Sequence, residues 1–565
     1  MKKSALFLFL IAIFSVAFAQ TPEVISVGST RGDATAMLRR AVEKAAKRNC
    51  RPVEIRLTPG AVYNISRTSA TPLRRHISNT TSAEENVDPT KHVGILLRGL
   101  RNVTINGNGA TIVTHGEMTP WAIDSCGNIA IRDLTVRAAD PTVPEMTVTG
   151  ISDGTPDSLA WLTVEVNPLS RYEIRDGRLW WIGEGWEFTN GIAQLYDPET
   201  GTTARCCSII TDGCRAEVLS PGRLRLYPGF RPDIRVGMTY QMRHSYRYEA
   251  GGFINRSRDV RLERLTLHSV ANFGIVGQFS ENLTYSDVAC VPDTAAGRTN
   301  AGYADFFHFS GCRGKLTVER CRFRGSQDDD INVHGTHLKL TGVDPGGRKI
   351  RVRFMHGQTF GFEAFAAGDS VAFNNSATLL TLGRERVAGA RMLDDYEMEL
   401  TLDNPIGDGI VDAMNRDGVV AENISWYPEV EIRGCRFECM PTRAVLVTTP
   451  RRVVIEDNDF IRVPMPSVLI ADDARSWYES GAVRDVTIRG NRFIQCAGPV
   501  ICVAPEVKRF EGTVHQGITV EDNAFTGCTG AQLKASATRN IVFRRNSLPA
   551  FTLDLSDTAG VLVEN

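Results

Sequence analysis

Val453-Val-Ile-Glu-Asp-Asn-Asp-Phe460, Val486-Thr-Ile-Arg-Gly-Asn-Arg-Phe493 and Ile518-Thr-Val-Glu-Asp-Asn-Ala-Phe525 are three versions of one eight-residue phrase. Each alternates apolar and polar residues, passes through Asp-Asn or Gly-Asn, and ends on a second short apolar step. Alternation with period two makes a strand with one buried face. Asn after Gly or Asp marks a sharp bend, because Asn tolerates left-handed dihedrals and hydrogen-bonds its own backbone. The phrase recurs upstream as Val430–Phe437, Leu316–Phe323, Leu283–Cys290 and Val260–Leu267, and more faintly as Ile129–Val136 and Val103–Ala110. A weaker copy, Ile541–Leu548, ends the series. One unit cannot bury its apolar face alone, and stacked units can. The pattern predicts an all-β chain, a right-handed parallel β-helix with rungs about 4.8 Å apart. It also predicts a ladder of amides at Asn458, Asn491, Asn523 and Asn546. A β-sandwich, whose strands recur without self-similarity, fits less well.

Solenoid ends need covers. Residues 33–47 read as an amphipathic helix, apolar at helical spacing, that caps the first coil. Two stretches break the repeat and read as small antiparallel β-domains or barrels inserted into loops. The expected organisation is therefore a signal peptide at 1–19, a cap and first coils at 20–140, and an inserted β-domain at 141–250. Central coils follow at 251–335, a second inserted β-domain at 336–425, and C-terminal coils at 426–565.

Lys2 and Lys3, the apolar run Leu6–Phe14 and Ala17-Phe18-Ala19 have the form of a cleaved export signal. The expectation is a periplasmic or secreted bacterial protein, with no later segment able to span a bilayer. Charge is balanced, 64 basic against 65 acidic residues, which argues against a nucleic-acid binder or a polybasic membrane-surface protein. Of 13 cysteines, Cys290, Cys321 and Cys435 occupy apolar repeat positions, as small buried hydrophobes would. Cys206, Cys207 and Cys214, and Cys435 with Cys439, are the groupings that could pair. No metal-ligand spacing is present, and no cofactor is implied.

The chemistry concentrates at Ser326-Gln-Asp-Asp-Asp-Ile-Asn-Val-His-Gly335. Asp305 lies 23 residues before Asp328, and 23 is also the spacing from Leu265 to Val288 and from Cys435 to Asn458. One winding would therefore set Asp305 beside Asp328 and Asp329. Crowded carboxylates raise at least one pKa, leaving one group as an acid while another stays ionised as a base. Asp330, third in the run, faces inward or caps a turn. His308, Asn332 and His334 are candidates for sugar-hydroxyl contacts, and Trp426 for stacking on a sugar face. A solvated acidic turn or a Ca²⁺ site is the competing reading of the run.

An Asp in a strand, a one-coil gap, Asp-Asp and then His-Gly is similar to the polygalacturonases, although their Arg-Ile-Lys substrate clamp is missing here. The chain more closely resembles glycoside hydrolase family 110. That resemblance spans most of the chain and includes the Asp33-Ala-Thr helix, the inserted β-domains and the motif above. It implies an exo-acting α-1,3-galactosidase acting on blood-group-B-type glycans, inverting and metal-free, with catalytic aspartates at Asp305, Asp328 and Asp329. The partner implied is an oligosaccharide with terminal α-galactose. Two other readings stay open at this point: a different β-helix carbohydrate enzyme, such as a lyase, and a non-catalytic glycan-binding β-helix. Inversion calls for an acid and base about 6.5–9.5 Å apart.

Overall fold

The computed structural model describes residues 21–48, 51–82, 84, 86–154, 160–547 and 551–564. The export signal expected at 1–19 lies outside these residues. Among the described residues no helix is long and apolar enough to cross a membrane.

The repeated phrase forms one wall of a parallel β-helix. Val430, Val453, Val486, Ile518, Ile541 and Val561 pair in register from coil to coil, as do Ile432, Ile455, Ile488, Val520, Phe543 and Val563. Like side chains therefore stack on like. Phe323, Phe437, Phe460, Phe493 and Phe525 form a column of rings with centroids 4.8–4.9 Å apart and nearly parallel planes. This is the rung spacing itself.

The amide ladder is present, and its geometry refines the reading of the bend. Asn458 Nδ2 donates to Asn491 Oδ1, Asn491 Nδ2 to Asn523 Oδ1, and Asn523 Nδ2 to Asn546 Oδ1, each at 3.0 Å. The left-handed residue is the one before each Asn: Asp457 (φ 57°), Gly490 (65°), Asp522 (56°) and Arg545 (49°). The Asn side chain is thereby free to bond along the stack rather than to its own turn.

Thr35–Ala46 forms the cap, with Leu38, Ala41, Val42 and Ala45 buried in the main core. The Asp33 carboxylate accepts the Thr35 N–H at 2.8 Å at its start. All twelve described cysteines are free, including Cys206, Cys207, Cys214, Cys435 and Cys439.

Two antiparallel units interrupt the coils. The first is a seven-stranded sheet built from strands between Glu145 and Arg243, with a three-stranded sheet, Arg171–Arg175, Arg178–Gly183 and Trp186–Phe188, beside it. The second begins without a break in the chain. Strand Ile331–Val343 starts on the helix wall and runs on to pair with Lys349–Arg353 and Val419–Asn423. With Glu397–Leu402, Thr381–Met392 and Ser370–Asn375 these strands close into a six-stranded barrel. The strand that carries Asn332 is thus one rigid element shared by the helix and the barrel.

Candidate active site

The site lies where the central coils meet the inserted units. Phe307–Ser310 pairs in parallel with the start of Ile331–Val343, matching Phe307 to Ile331 and His308 to Asn332. The local register is therefore 24 residues, one more than the repeat predicts. Asp305 stacks on Asp329, with Asp328 alongside. The three carboxylates face one another, with one oxygen of each within 4.8 Å of the others. All three sit at one strand entrance.

Asp330 points the other way. It is fully buried in the core-facing column between Phe306 and Ala444, the residues that precede the paired strand in the flanking coils. Neither of its oxygens has a hydrogen-bond partner. Burial holds its carboxyl well above the usual range.

The pocket around the trio has a volume of about 610 Å³. Arg205, from the first inserted unit, bonds Asp328 Oδ1 at 3.1 Å, and Arg247 stands 3.6 Å from Oδ2. Arg443 Nε donates to Asp329 Oδ1 at 2.8 Å. Burial, then the charges of Asp328 and Asp329, hold the Asp305 carboxyl well above its ordinary value. Burial also raises Asp329, against the pull of Arg443. Three facing carboxylates could in principle hold a divalent cation, but three guanidinium groups already supply the positive charge these oxygens attract.

His308 and His334 are placed behind the acids rather than at a substrate. Both are buried and neither lines the pocket. They form a chain: Asp305 Oδ2 to His308 Nδ1 at 3.0 Å, His308 Nε2 to His334 Nε2 at 3.0 Å, and His334 Nδ1 to the Gly335 carbonyl at 2.6 Å. Burial and the neighbouring His334 push the His308 imidazole well below its usual pKa. Asn332 does line the pocket, with its Oδ1 unpartnered and its Nδ2 3.4 Å from Glu479. Trp426 does not. It packs 5.5 Å from the Phe279 ring and beneath the Arg313 guanidinium, at the seam with the barrel core. It resumes the helix at a place where its ring has barrel side chains to cover.

The pocket also contains Arg205, Arg243, Arg247, Arg443, Trp477 and Glu479, none of which the sequence reading singled out. Two signals were available. Arg443 stands two residues before Val445, as Asp329 stands before Ile331, once the barrel is taken out of the count. Trp477 and Glu479 lie in the coil between Asn458 and Asn491, which is 33 residues long where the coil before it is 23. The surplus is a loop.

Comparison with known proteins follows the same lines. Residues 156–239 match the family model for GLAA-B beta-barrel domain I, residues 349–413 that for GLAA-B beta-barrel domain II, and residues 398–548 that for a right-handed beta helix region. Among solved structures, an exopolygalacturonase from Thermotoga maritima aligns over 96% of this chain and 92% of its own, with 10% identity and a TM-score of 0.36. An α-1,3-galactosidase A from Bacteroides thetaiotaomicron is 40% identical over 539 residues, covering 95% of this chain and 92% of that protein. An α-1,3-galactosidase A from Akkermansia muciniphila is 35% identical, covering 89% and 82%. An α-1,3-galactosidase B from Bacteroides thetaiotaomicron is 32% identical, covering 81% and 75%. Similarity of this extent, running through coils and inserted units alike, makes the chain a member of glycoside hydrolase family 110 and a glycosidase.

Proposed function

We propose that the protein is an exo-acting α-1,3-galactosidase that removes terminal α-1,3-linked D-galactose from branched, blood-group-B-type glycans, with linear Galα1-3Gal as a second substrate. The observation that carries this reading is the convergence of Asp305, Asp328 and Asp329 at one end of a sugar-sized pocket, in a chain whose relatives bear that name. Asp305, Asp328 and Asp329 are the proposed catalytic residues, and Asn332 a substrate contact. No metal or cofactor takes part.

The proton inventory supports acid–base chemistry. The Gly335 carbonyl only accepts, so His334 carries a proton on Nδ1. The raised Asp305 carboxyl favours its protonated form, whose O–H donates to His308 Nδ1; the neutral His308 then donates from Nε2 to His334 Nε2. In this polarity the resting trio keeps a proton on Asp305. Arg205 and Arg247 face Asp328 and Arg443 bonds Asp329, so positive charge stands beside both carboxyl groups. One member protonates the leaving oxygen while one or both of the others activate water. Inversion is the outcome the family resemblance implies.

The test is incubation with a branched B-type trisaccharide and with linear Galα1-3Gal, following galactose by NMR. β-Galactose should appear first. α-Galactose first excludes inversion, and release of no galactose from either substrate removes the activity.

A further inference from the structure

The pocket has two unlike halves. The acids, Asn332 and the arginines crowd one end, while Leu446, Met465, Leu469, Ala471 and Trp477 line the other, with Asp473 and Glu506 at the Trp477 loop. The strand register sets the order. On the outward face His308 pairs with Asn332, Asn332 with Leu446, and Leu446 with Leu469. Along this one row of the wall, leucines therefore succeed the polar side chains.

Trp477 stands on the apolar side, 47% exposed. Its loop is held firmly. The buried Asp473 carboxylate accepts the backbone N–H groups of Arg475, Ser476, Trp477 and Tyr478. Glu479 and Ser480 then pair with Thr336 and Gly335 of the strand that carries Asn332. A Cβ at Gly335 would lie 2.5 Å from the Tyr427 hydroxyl and 2.6 Å from Ser480 Oγ, so strand and loop touch there without slack. From the second barrel, the His356 ring lies against the indole, with centroids 4.5 Å apart and planes 31° apart. Burial pushes His356 down to about 4, so this support is uncharged at neutral pH. A large ring that is half exposed yet fixed by both loop and barrel gains little from packing. It is well suited to a pyranose, whose C–H face buries against an indole while its hydroxyls stay wet.

We propose that Trp477 is the platform for the leaving sugar, the residue to which the cleaved galactose is attached. The glycan then runs from the acids over Leu446 and Leu469 toward the C-terminal coils. The proposal rests on the galactosidase reading and adds to it a direction and a contact. A platform of this kind acts only on substrates that have a sugar to place on it.

The test compares wild type, Trp477→Ala and Trp477→Phe on Galα1-3Gal and on α-galactosyl fluoride, whose leaving group is a single atom. Trp477→Ala should lower kcat/KM for the disaccharide about tenfold, with a change below about twofold on the fluoride. Trp477→Phe should keep most of the disaccharide rate. Turnover of the fluoride also shows that the variant is folded. Equal losses on the two substrates, or an undiminished disaccharide rate, overturn the platform and leave the galactosidase reading intact. Failure of the wild type on both substrates overturns both.

Discussion

The coils from Val453 to Asn546 and those from Val260 to Phe437 use the same strand phrase to opposite ends. At its sixth position the C-terminal coils carry Asn458, Asn491, Asn523 and Asn546, whose buried amides bond to one another and to backbone carbonyls at 2.9–3.0 Å. The earlier coils put Leu265, Val288, Cys321 and Cys435 there. Their buried polar atoms gather on another wall, and several go unpaired: both Asp330 oxygens, Asn332 Oδ1 and Ser310 Oγ. A solenoid can thus separate what stabilises it from what it does. Satisfied polar bonds run along the ladder, while unpartnered buried polar atoms occur beside the site and also at Ser467, Asp472 and His515 on other faces of the C-terminal coils.

Substitutions that remove function from one region and stability from the other break this comparison most directly. Asp328→Asn or Asp329→Asn should lower turnover by about 10²–10⁴-fold, the usual worth of a positioned acid or base. The melting temperature should hold or rise, because one charge leaves a crowded trio. Assays of galactose release beside thermal unfolding read both effects. Asn491→Leu should do the reverse. It strips the Asn458 N–H and amide of their acceptor and takes the amide donor from Asn523 Oδ1, which keeps only the backbone N–H of residue 491. Orphaned buried groups of this kind cost about 3 kcal/mol or more together. Denaturant unfolding should show that loss while kcat stays unchanged.

The two regions also differ in how much of them the sequence shows. The ladder and the phenylalanine column are legible because a solenoid converts sequence period directly into spatial neighbours. The meeting of Asp305 with the acid run is legible for the same reason, although the local register slips by one residue. Arg205, Arg243, Glu479 and Trp477 are hidden because they come from insertions, and no period connects an insertion to the coil it leans on. Arg205 stands 123 residues from its partner Asp328. Trp426 misled for a related reason: an aromatic next to the site in sequence lies at a seam in space. His308 and His334 follow the acids closely in sequence and share the outward face with Asn332, but burial keeps them out of the pocket.

The pH dependence of stability sharpens the contrast. Burial raises the Asp330 carboxyl well above its ordinary 3.8. As pH rises past that value the unfolded chain releases this proton and the folded chain keeps it. The native state then binds more protons than the unfolded state, so stability falls with rising pH until the folded pKa is reached. Asp305 and Asp329 act in the same direction. Asp330→Asn removes one such group, which should flatten the decline by up to about 1.4 kcal/mol per pH unit. Urea midpoints from pH 4 to 8 measure it, and parallel slopes for the two proteins would mean that the Asp330 carboxyl is not held protonated.

The smallest effect is expected at the boundary between the regions. Cys435 receives the ladder from below, since its N–H donates to Asn458 Oδ1 at 2.8 Å. Its own sulfur imitates the amide it replaces. Sγ accepts the Cys321 N–H at 3.4 Å and lies 3.6 Å from the Val318 carbonyl as a donor. An asparagine in this position has an oxygen for the first bond and an N–H for the second. Its remaining N–H would meet Asn458 Oδ1, as each ladder amide meets the next. Cys435→Asn therefore extends the ladder by one rung. Better bonds are offset by the larger side chain in a close-packed column. The net change should stay within about 1 kcal/mol, against the much larger loss from Asn491→Leu. A penalty comparable to that of Asn491→Leu would show that the ladder ends at Asn458 because the core beyond it has no space for an amide, rather than because sulfur already does the same work.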